Sequence, residues 1–499
     1  MRAVGCCGIL LVLVPVVLAV DIADELRPPL LPLARAQQFS SVLLVTVDDI
    51  ASHYARPVEA ADLLTAGLRG LYQSARQPVP PRLEKEIKAA LANGTQSQLV
   101  TRLRQEIGDV RWLGGHDDLI ACLREIARFL DPHTRVMTGR DLQRSYGSQP
   151  IFGLEIRENL GTGPLFVQDV VPGSPAQQAG VLPGDEIRLI NGKPIGDNQE
   201  TLAAISKVVY GYNPGEVEAI RLTVYRPRTQ SQWLATLFPA VYEAEAVFGV
   251  KRRENNQWDF WLDGKNKIGL IRLATLERGS ANQFASAIKS LKAEGLRGLI
   301  LDLRWSPRGH LNESIAIALS LVGEKTVATI KSRSDPQPRV YGKFADLAGG
   351  DYPVEDFTDI PLVVLINAKT SGAAELIASA IRDYKRGELV GQRTRGKASV
   401  QTYLSLRFPG AGMLLTSGTF NRPSGKNLHR FPDSKPNDDW GVRPDNEVRL
   451  SPKLRDRLHE WWQWQTLRPG TAKNSLPLDD PMIDPQLHAG WRRLRQKLQ

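Results

Sequence analysis

Cysteine is nearly absent from this 499-residue chain: there are 3, Cys6, Cys7 and Cys122. The first two lie in an apolar N-terminal stretch. With that stretch removed only Cys122 remains, and no internal disulfide can form. Cys122 falls in an apolar helical pattern, the setting of a core thiol rather than a reactive one. Histidine is scarce too, 7 residues dispersed along the chain with no H-E-x-x-H, so no metal site is expected and no cofactor is implied. Net charge is +10, yet there is no long Lys/Arg block and no basic stripe interleaved with aromatics. A nucleic-acid partner is therefore not expected, and the excess reads as a solvated surface. Also missing is an apolar run long enough to span a bilayer comfortably. Gly8–Val20, behind Arg2 and ahead of Asp21, is too short for that and reads as a secretory signal peptide over residues 1–20. Export to a periplasmic or extracellular location follows. Retained uncleaved, the same segment would hold the protein at a membrane periphery. What remains is ordinary for a soluble chain of several domains: 42% hydrophobic and 24% charged residues, with no internal repeat.

Residues 21–147 read as a helical region. Val42–Val45, Ile50, Leu63, Leu64, Leu68 and Leu71 give an amphipathic rhythm, and Leu119–Leu130 repeats it. Asp131-Pro132 then stops the helix, and His133 behind it reads as a structural side chain. Residues 148–228 are rich in strand and turn signals. Phe152–Ile156 and Val167–Val171 read as strands, Gly180 suits a helix end, Gly184 a tight turn, and Asn191-Gly192 a hairpin. From Lys267 the pattern changes to strand Ile268–Leu273, amphipathic helix Ala281–Leu291 and buried strand Leu299–Leu303. That order predicts parallel pairing.

Val364–Gln401 is the densest stretch. Leu362–Ile366 reads as a buried strand, Lys369–Ala374 as a turn of small residues, and Leu376, Ile377, Ala380 and Ile381 share one helical face. A strand feeding a turn that opens a helix is a common way to present a nucleophile, because the helix start supplies free N–H groups and a positive field. Lys397 and Gln401 follow at a spacing that predicts one shared face. A lysine base must be neutral to act, and burial favours that form. Ala398 and Ser399 are small enough to allow it. Beyond about Asp456, Trp461, Trp462 and Trp464 are expected to cap the domain, and the polar, proline-containing tail over residues 457–499 is expected to be partly disordered.

Two resemblances organise these observations. Residues 148–228 resemble a PDZ domain, with PGSPAQQAGVLPGDEI matching nearly throughout. The resemblance implies that Phe152, Gly153, Leu154, Glu155 and Ile156 form a carboxylate-binding loop and the strand beside which a peptide is added. Asn367, Glu375, Asp383, Gly391, Thr394, Gly396, Lys397, Val400 and Gln401 fall without a gap on the pattern of the carboxyl-terminal processing, or tail-specific, serine proteases. That family implies an α/β multidomain chain: a helical N-terminal region, a PDZ domain, and an α/β protease-like core of the ClpP/crotonase type over residues 229–456. It further implies a serine-type endopeptidase with a Ser–Lys dyad, no cofactor, and polypeptides with exposed C-termini as substrates. Lys397 matches the family's base and Gln401 the residue that orients it. Gly309 and Gly372 match its oxyanion positions. The nucleophile departs from the pattern. The family's serine-to-lysine spacing falls on Gly372, with Ser371 as its neighbour. Three readings stay open: Ser371 serves on a turn shifted by one residue, the nucleophile is lost and a peptide-binding or scaffold pseudoenzyme remains, or some other group serves. Arg308 stands where the family's oxyanion loop has glycine, and it would either obstruct the backbone or lend a positive charge. The insert Leu428–Trp440 is longer than the pattern needs.

Overall fold

The computed structural model describes residues 28–138, 152–157, 164–195, 218–240, 242–253, 257–333, 335, 337–347, 350–431, 433–467 and 483–499. The expected signal peptide lies outside them, as do parts of the PDZ-like segment. Among the described residues no helix is long and apolar enough to cross a membrane.

The chain divides into two compact units, one of residues up to 48 with 59–129, the other of residues 49–58 with 130–499. The first is helical, as expected, with helices Ala60–Ser74, Leu83–Ala92 and Gln96–Ile107 and most of Leu33–His53 and Asp117–Leu130. Leu63, Leu64, Leu68 and Leu71 are buried along one stripe, and Cys122 is buried with them as a core thiol. Arg104 is fully buried here, with Nε donating to Asp118 at 2.9 Å and Nη1 to the Gly108 carbonyl at 2.9 Å.

The second unit holds three larger sheets. In one, strands Ile268–Leu273, Gly298–Asp302, Leu362–Ile366, Glu388–Gly391 and Asn446–Glu447 run parallel in that spatial order. Their side chains alternate between two covered faces, which is why the runs read as continuously apolar. Ile271, Leu299, Leu301, Val364 and Ile366 pack on helices Ser280–Ala293, Leu311–Val322 and Ala373–Asp383 through Ile288, Leu319 and Ile377. Leu270, Ile300, Val363, Leu365 and Val390 pack on Trp462, Leu487 and Leu494.

Trp462 caps the domain as expected, and of the tail expected to be partly disordered residues 468–482 lie outside the described residues. Residues 452–467 and 485–498 are helices, and they close the second face of the sheet. An ion pair fastens them. Arg304, fully buried, donates to Asp302 (Nε to Oδ1, 2.9 Å; Nη2 to Oδ2, 2.7 Å) and to Asp484 (Nη1 to Oδ1, 2.9 Å; Nη2 to Oδ2, 2.9 Å). Burial alone disfavours the cation, but the two carboxylates more than offset this and raise its pKa. Trp305 beside it has a left-handed backbone, φ 55°, and its ring stacks on His459 at 5.4 Å.

A second sheet is antiparallel. Its central strand Ala411–Asn421 pairs with Arg135–Thr138, Ser399–Ser405 and Ala328–Ser332. The third is the PDZ-like sheet, in the order Leu154–Arg157, Leu165–Val170, Glu186–Ile190, Ile220–Arg226, Ser231–Leu237. Its last strand lies beyond the expected boundary at residue 228, because Ser231–Leu237 pairs with Ile220–Arg226 along its whole length. Asn191 and Gly192 both have positive φ, 51° and 78°, as a two-residue hairpin turn requires.

Replacing Asp484 by Asn leaves Arg304 with half of its buried countercharge. The expected loss is about 2–4 kcal/mol, read as a lower midpoint in thermal or urea unfolding. An unchanged midpoint would show that the two C-terminal helices do not depend on this pair.

Candidate active site

The site is assembled where strand Leu362–Ile366 ends. Asn367 is buried, and its Oδ1 accepts from the N–H groups of Trp305 (3.3 Å), Lys369 (2.9 Å) and Thr370 (3.2 Å). Thr370 Oγ1 accepts from Asn367 N–H at 3.0 Å and donates to the Leu303 carbonyl at 2.8 Å. Ser371 N–H donates to the Ser306 carbonyl at 2.9 Å. These bonds clamp the turn to the loop Arg304–Gly309, so the two segments expected to supply nucleophile and oxyanion donors do meet. Gly309 is required by close approach, since a Cβ there would lie 2.4 Å from Leu276 Cβ.

Gly372 precedes helix Ala373–Asp383 with φ 63° and ψ −120°, a conformation that L side chains rarely adopt. A Cβ added there would meet only the Lys397 carbonyl, at 4.0 Å. The position therefore faces open space beside the lysine segment. Ser371 is different. It is fully buried, and its hydroxyl has no hydrogen-bond partner, so it makes no bond to the Lys397 amine.

Glu375, also fully buried, joins the two halves of the site. Its carboxylate accepts from the N–H groups of Gly372 (3.0 Å), Gly396 (2.6 Å) and Lys397 (2.7 Å) and from Thr394 Oγ1. Burial raises its pKa even against these donors. The bond from Gly372 corrects one expectation: that N–H is already engaged and is not free for an oxyanion. The N–H groups of Ala373 and Ala374, first in the helix, have no acceptor among the described residues and are unoccupied donors at this helix start.

Lys397 is half-buried. Burial, followed by the positive charges of Arg395 and Arg135, lowers its pKa below the ordinary lysine value. Gln401 does not hold it. The Gln401 amide donates to Ser399 Oγ at 2.7 Å and to Thr416 Oγ1 at 3.4 Å. The strand that carries Gln401 begins at Ser399, and its register shifts between Val400 and Gln401.

Sequence reasoning missed the neighbours of the lysine. Asp131 is buried and accepts from His133 N–H (2.7 Å), Thr134 N–H (2.9 Å), Thr134 Oγ1 (2.8 Å) and Thr416 Oγ1 (3.2 Å). His429 comes from the insert that looked surplus. Its ring lies 5.6 Å from that of His133 and 4.6 Å from that of Phe431. Burial, then His133, lowers its pKa to about 4. Burial, then Lys397, lowers that of His133.

In the PDZ-like module Phe152, Leu154 and Ile156 are buried in the core. Their strand, Leu154–Arg157, lies at an edge of its sheet among the described residues, where the backbone is what a peptide would meet. The side chain of Glu155 lies outside the described residues. Gly153, φ 70°, packs beneath Ser174 and the Tyr242 hydroxyl. Among the described residues no group of His, Cys, Asp and Glu is arranged to hold a metal ion.

Comparison with known proteins agrees with this layout. Residues 267–448 match the model of peptidase family S41, and residues 166–218 match that of the PDZ domain. The carboxyl-terminal-processing protease of a Synechocystis species is 29% identical over 343 residues, covering 68% of this chain and 73% of its own. The chloroplastic C-terminal processing peptidase of Tetradesmus obliquus is 28% identical over 343 residues, covering 67% of each.

His429 must stay neutral in its buried place. Between pH 6.5, its ordinary pKa, and about 4, the unfolded chain binds a proton that the folded chain does not. Stability therefore falls as pH drops through that window, by about 2–3 kcal/mol from this residue. Thermal melts of His429→Gln against pH should show a shallower fall than wild type. Parallel curves would mean that His429 titrates normally.

Proposed function

We propose that this chain, a member of the carboxyl-terminal processing protease family with an S41 peptidase domain and a PDZ domain, is an exported protein that binds polypeptides by their C-termini but cleaves them poorly for want of a nucleophile. The observation that carries this reading is the contrast at the turn. Gly372 has the open, left-handed position beside Lys397, whereas the Ser371 hydroxyl is buried. A base with a lowered pKa is kept, and a free helix-start N–H is kept at Ala373. What is missing is an oxygen between them.

In an active relative of this site, the neutral lysine amine would take the proton of a serine hydroxyl as that oxygen attacks the peptide carbonyl. The helix-start N–H and the Arg304–Gly309 loop would then face the developing negative charge. In this chain Lys397 can accept a proton, but the atom that should deliver it is absent from position 372. The PDZ module supports a separate binding step, because an extended peptide can pair with the free edge of Leu154–Arg157 while its terminal carboxylate lies at the Gly153 loop.

Gly372→Ser should therefore create or raise peptidase activity, assayed on a peptide with a free apolar C-terminus, and Lys397→Ala in that background should abolish it. The gain should be largest on the alkaline side of a pKa lying below the ordinary lysine value, since only the neutral amine is a base. The left-handed backbone will limit the rate, and Arg308→Gly tests whether that side chain limits it further. The reading is wrong if wild type cleaves at ordinary rates and Ser371→Ala stops it.

Amidating the peptide terminus should weaken binding to the intact chain. Equal affinity for acid and amide forms would remove the carboxylate-capture step.

A further inference from the structure

The rim around Lys397 carries more positive charge than the binding of a peptide backbone needs. Arg395 N–H donates to the Thr370 carbonyl at 3.0 Å, which fixes that residue beside the turn. Arg430 N–H donates to the Gly396 carbonyl at 2.8 Å, one residue before the lysine. Arg135 stands two positions past His133, paired across the sheet with Leu414. Arg56 lies 4.7 Å over the Phe431 ring, and Phe431 leads through His429 to His133. All four arginines are exposed. Among the described residues Arg135, Arg395 and Arg430 form no ion pair, and Arg56 has only the exposed Asp433, at 3.4 Å. Carboxylates nearby are already held: Glu375 and Asp131 by the donors named above, Asp439 by Lys426 at 2.7 Å, Asp438 by the Lys435 N–H at 2.8 Å. The rim acts on the site, since Arg395 and Arg135 follow burial as causes of the lowered lysine pKa.

We infer that the cleft selects acidic polypeptide segments, with Asp or Glu side chains seated against Arg135, Arg395 and Arg430 while the backbone passes Gly372 and Lys397. This specificity rests on the polypeptide-binding reading and adds a preference that the PDZ module does not supply. Like charges set close together repel until an anion joins them, and a cleft lined with one sign of charge concentrates ligands of the other.

The test uses the intact chain and two fluorescein-labelled peptides, both acetylated and amidated so that terminal-carboxylate capture plays no part. One carries several Glu and Asp residues, the other Gln and Asn at the same places. Fluorescence anisotropy should show the acidic peptide binding about tenfold tighter, with the difference shrinking as salt is added. Arg135→Gln, Arg395→Gln and Arg430→Gln together should weaken the acidic peptide by about threefold per arginine and leave the neutral one unchanged. The three Arg→Lys changes should retain most of the preference, and melting curves should confirm that both variants fold. Equal affinities in wild type, or a Gln variant that binds the acidic peptide as before, would overturn the inference. Binding seen only with free C-termini would also overturn it while sparing the PDZ step. No binding of any peptide would remove the polypeptide-binding reading as well.

Discussion

A buried carboxylate holds this active site in register. Glu375 sits in the first turn of its helix and accepts hydrogen bonds from the residue that opens the helix and from three residues of the lysine segment. Those segments come from different strands of the parallel sheet and its flank, and no other bond so directly sets the separation of Gly372 from Lys397. A carboxylate taken out of water is tolerated only when its oxygens are saturated with donors. Here three of the donors are backbone N–H groups, which no substitution of their own residues other than proline removes. The placement of Gly372 against Lys397 is therefore held by backbone donors rather than by the side chains at those two positions.

The lysine owes its lowered pKa to burial and then to the positive charges of Arg395 and Arg135. His133 and His429 pack ring to ring beside it, and both are driven toward their neutral forms. Neither offers a countercharge. Asp131 is close but saturated with donors. The pocket favours an uncharged amine without a dedicated partner to orient it, since Gln401 is turned to Ser399 and Thr416.

Much of this was legible in the sequence because it is local or periodic. The unbroken apolar run Leu362–Ile366 announced a strand covered on both faces, and Asn191-Gly192 a hairpin. What stayed hidden depends on partners distant in the chain. The C-terminal helices looked like a polar tail because only a few of their residues, Trp462, Leu487 and Leu494 among them, meet the sheet. The pairing of Arg304 with Asp484 leaves no periodic trace. The hydroxyls that the Gln401 amide bonds, Ser399 and Thr416, could not be read from spacing, because Thr416 lies on the neighbouring strand. His429 was overlooked because its insert matched no pattern, although it closes the wall of the site.

The same Arg304–Asp484 pair bears on how the protein is made. The two residues are 180 positions apart. At ribosomal rates of roughly 5–20 residues per second, about 10–40 s separate their synthesis. Throughout that interval the guanidinium next to the oxyanion loop has Asp302 alone, and one face of the central sheet lacks its cover. A nascent chain in this state exposes Leu270, Ile300, Val363 and Leu365 to solvent, to chaperones or to other chains. The covered second face of the sheet is thus among the last parts of the molecule to mature, completed only when the helix over 485–498 docks.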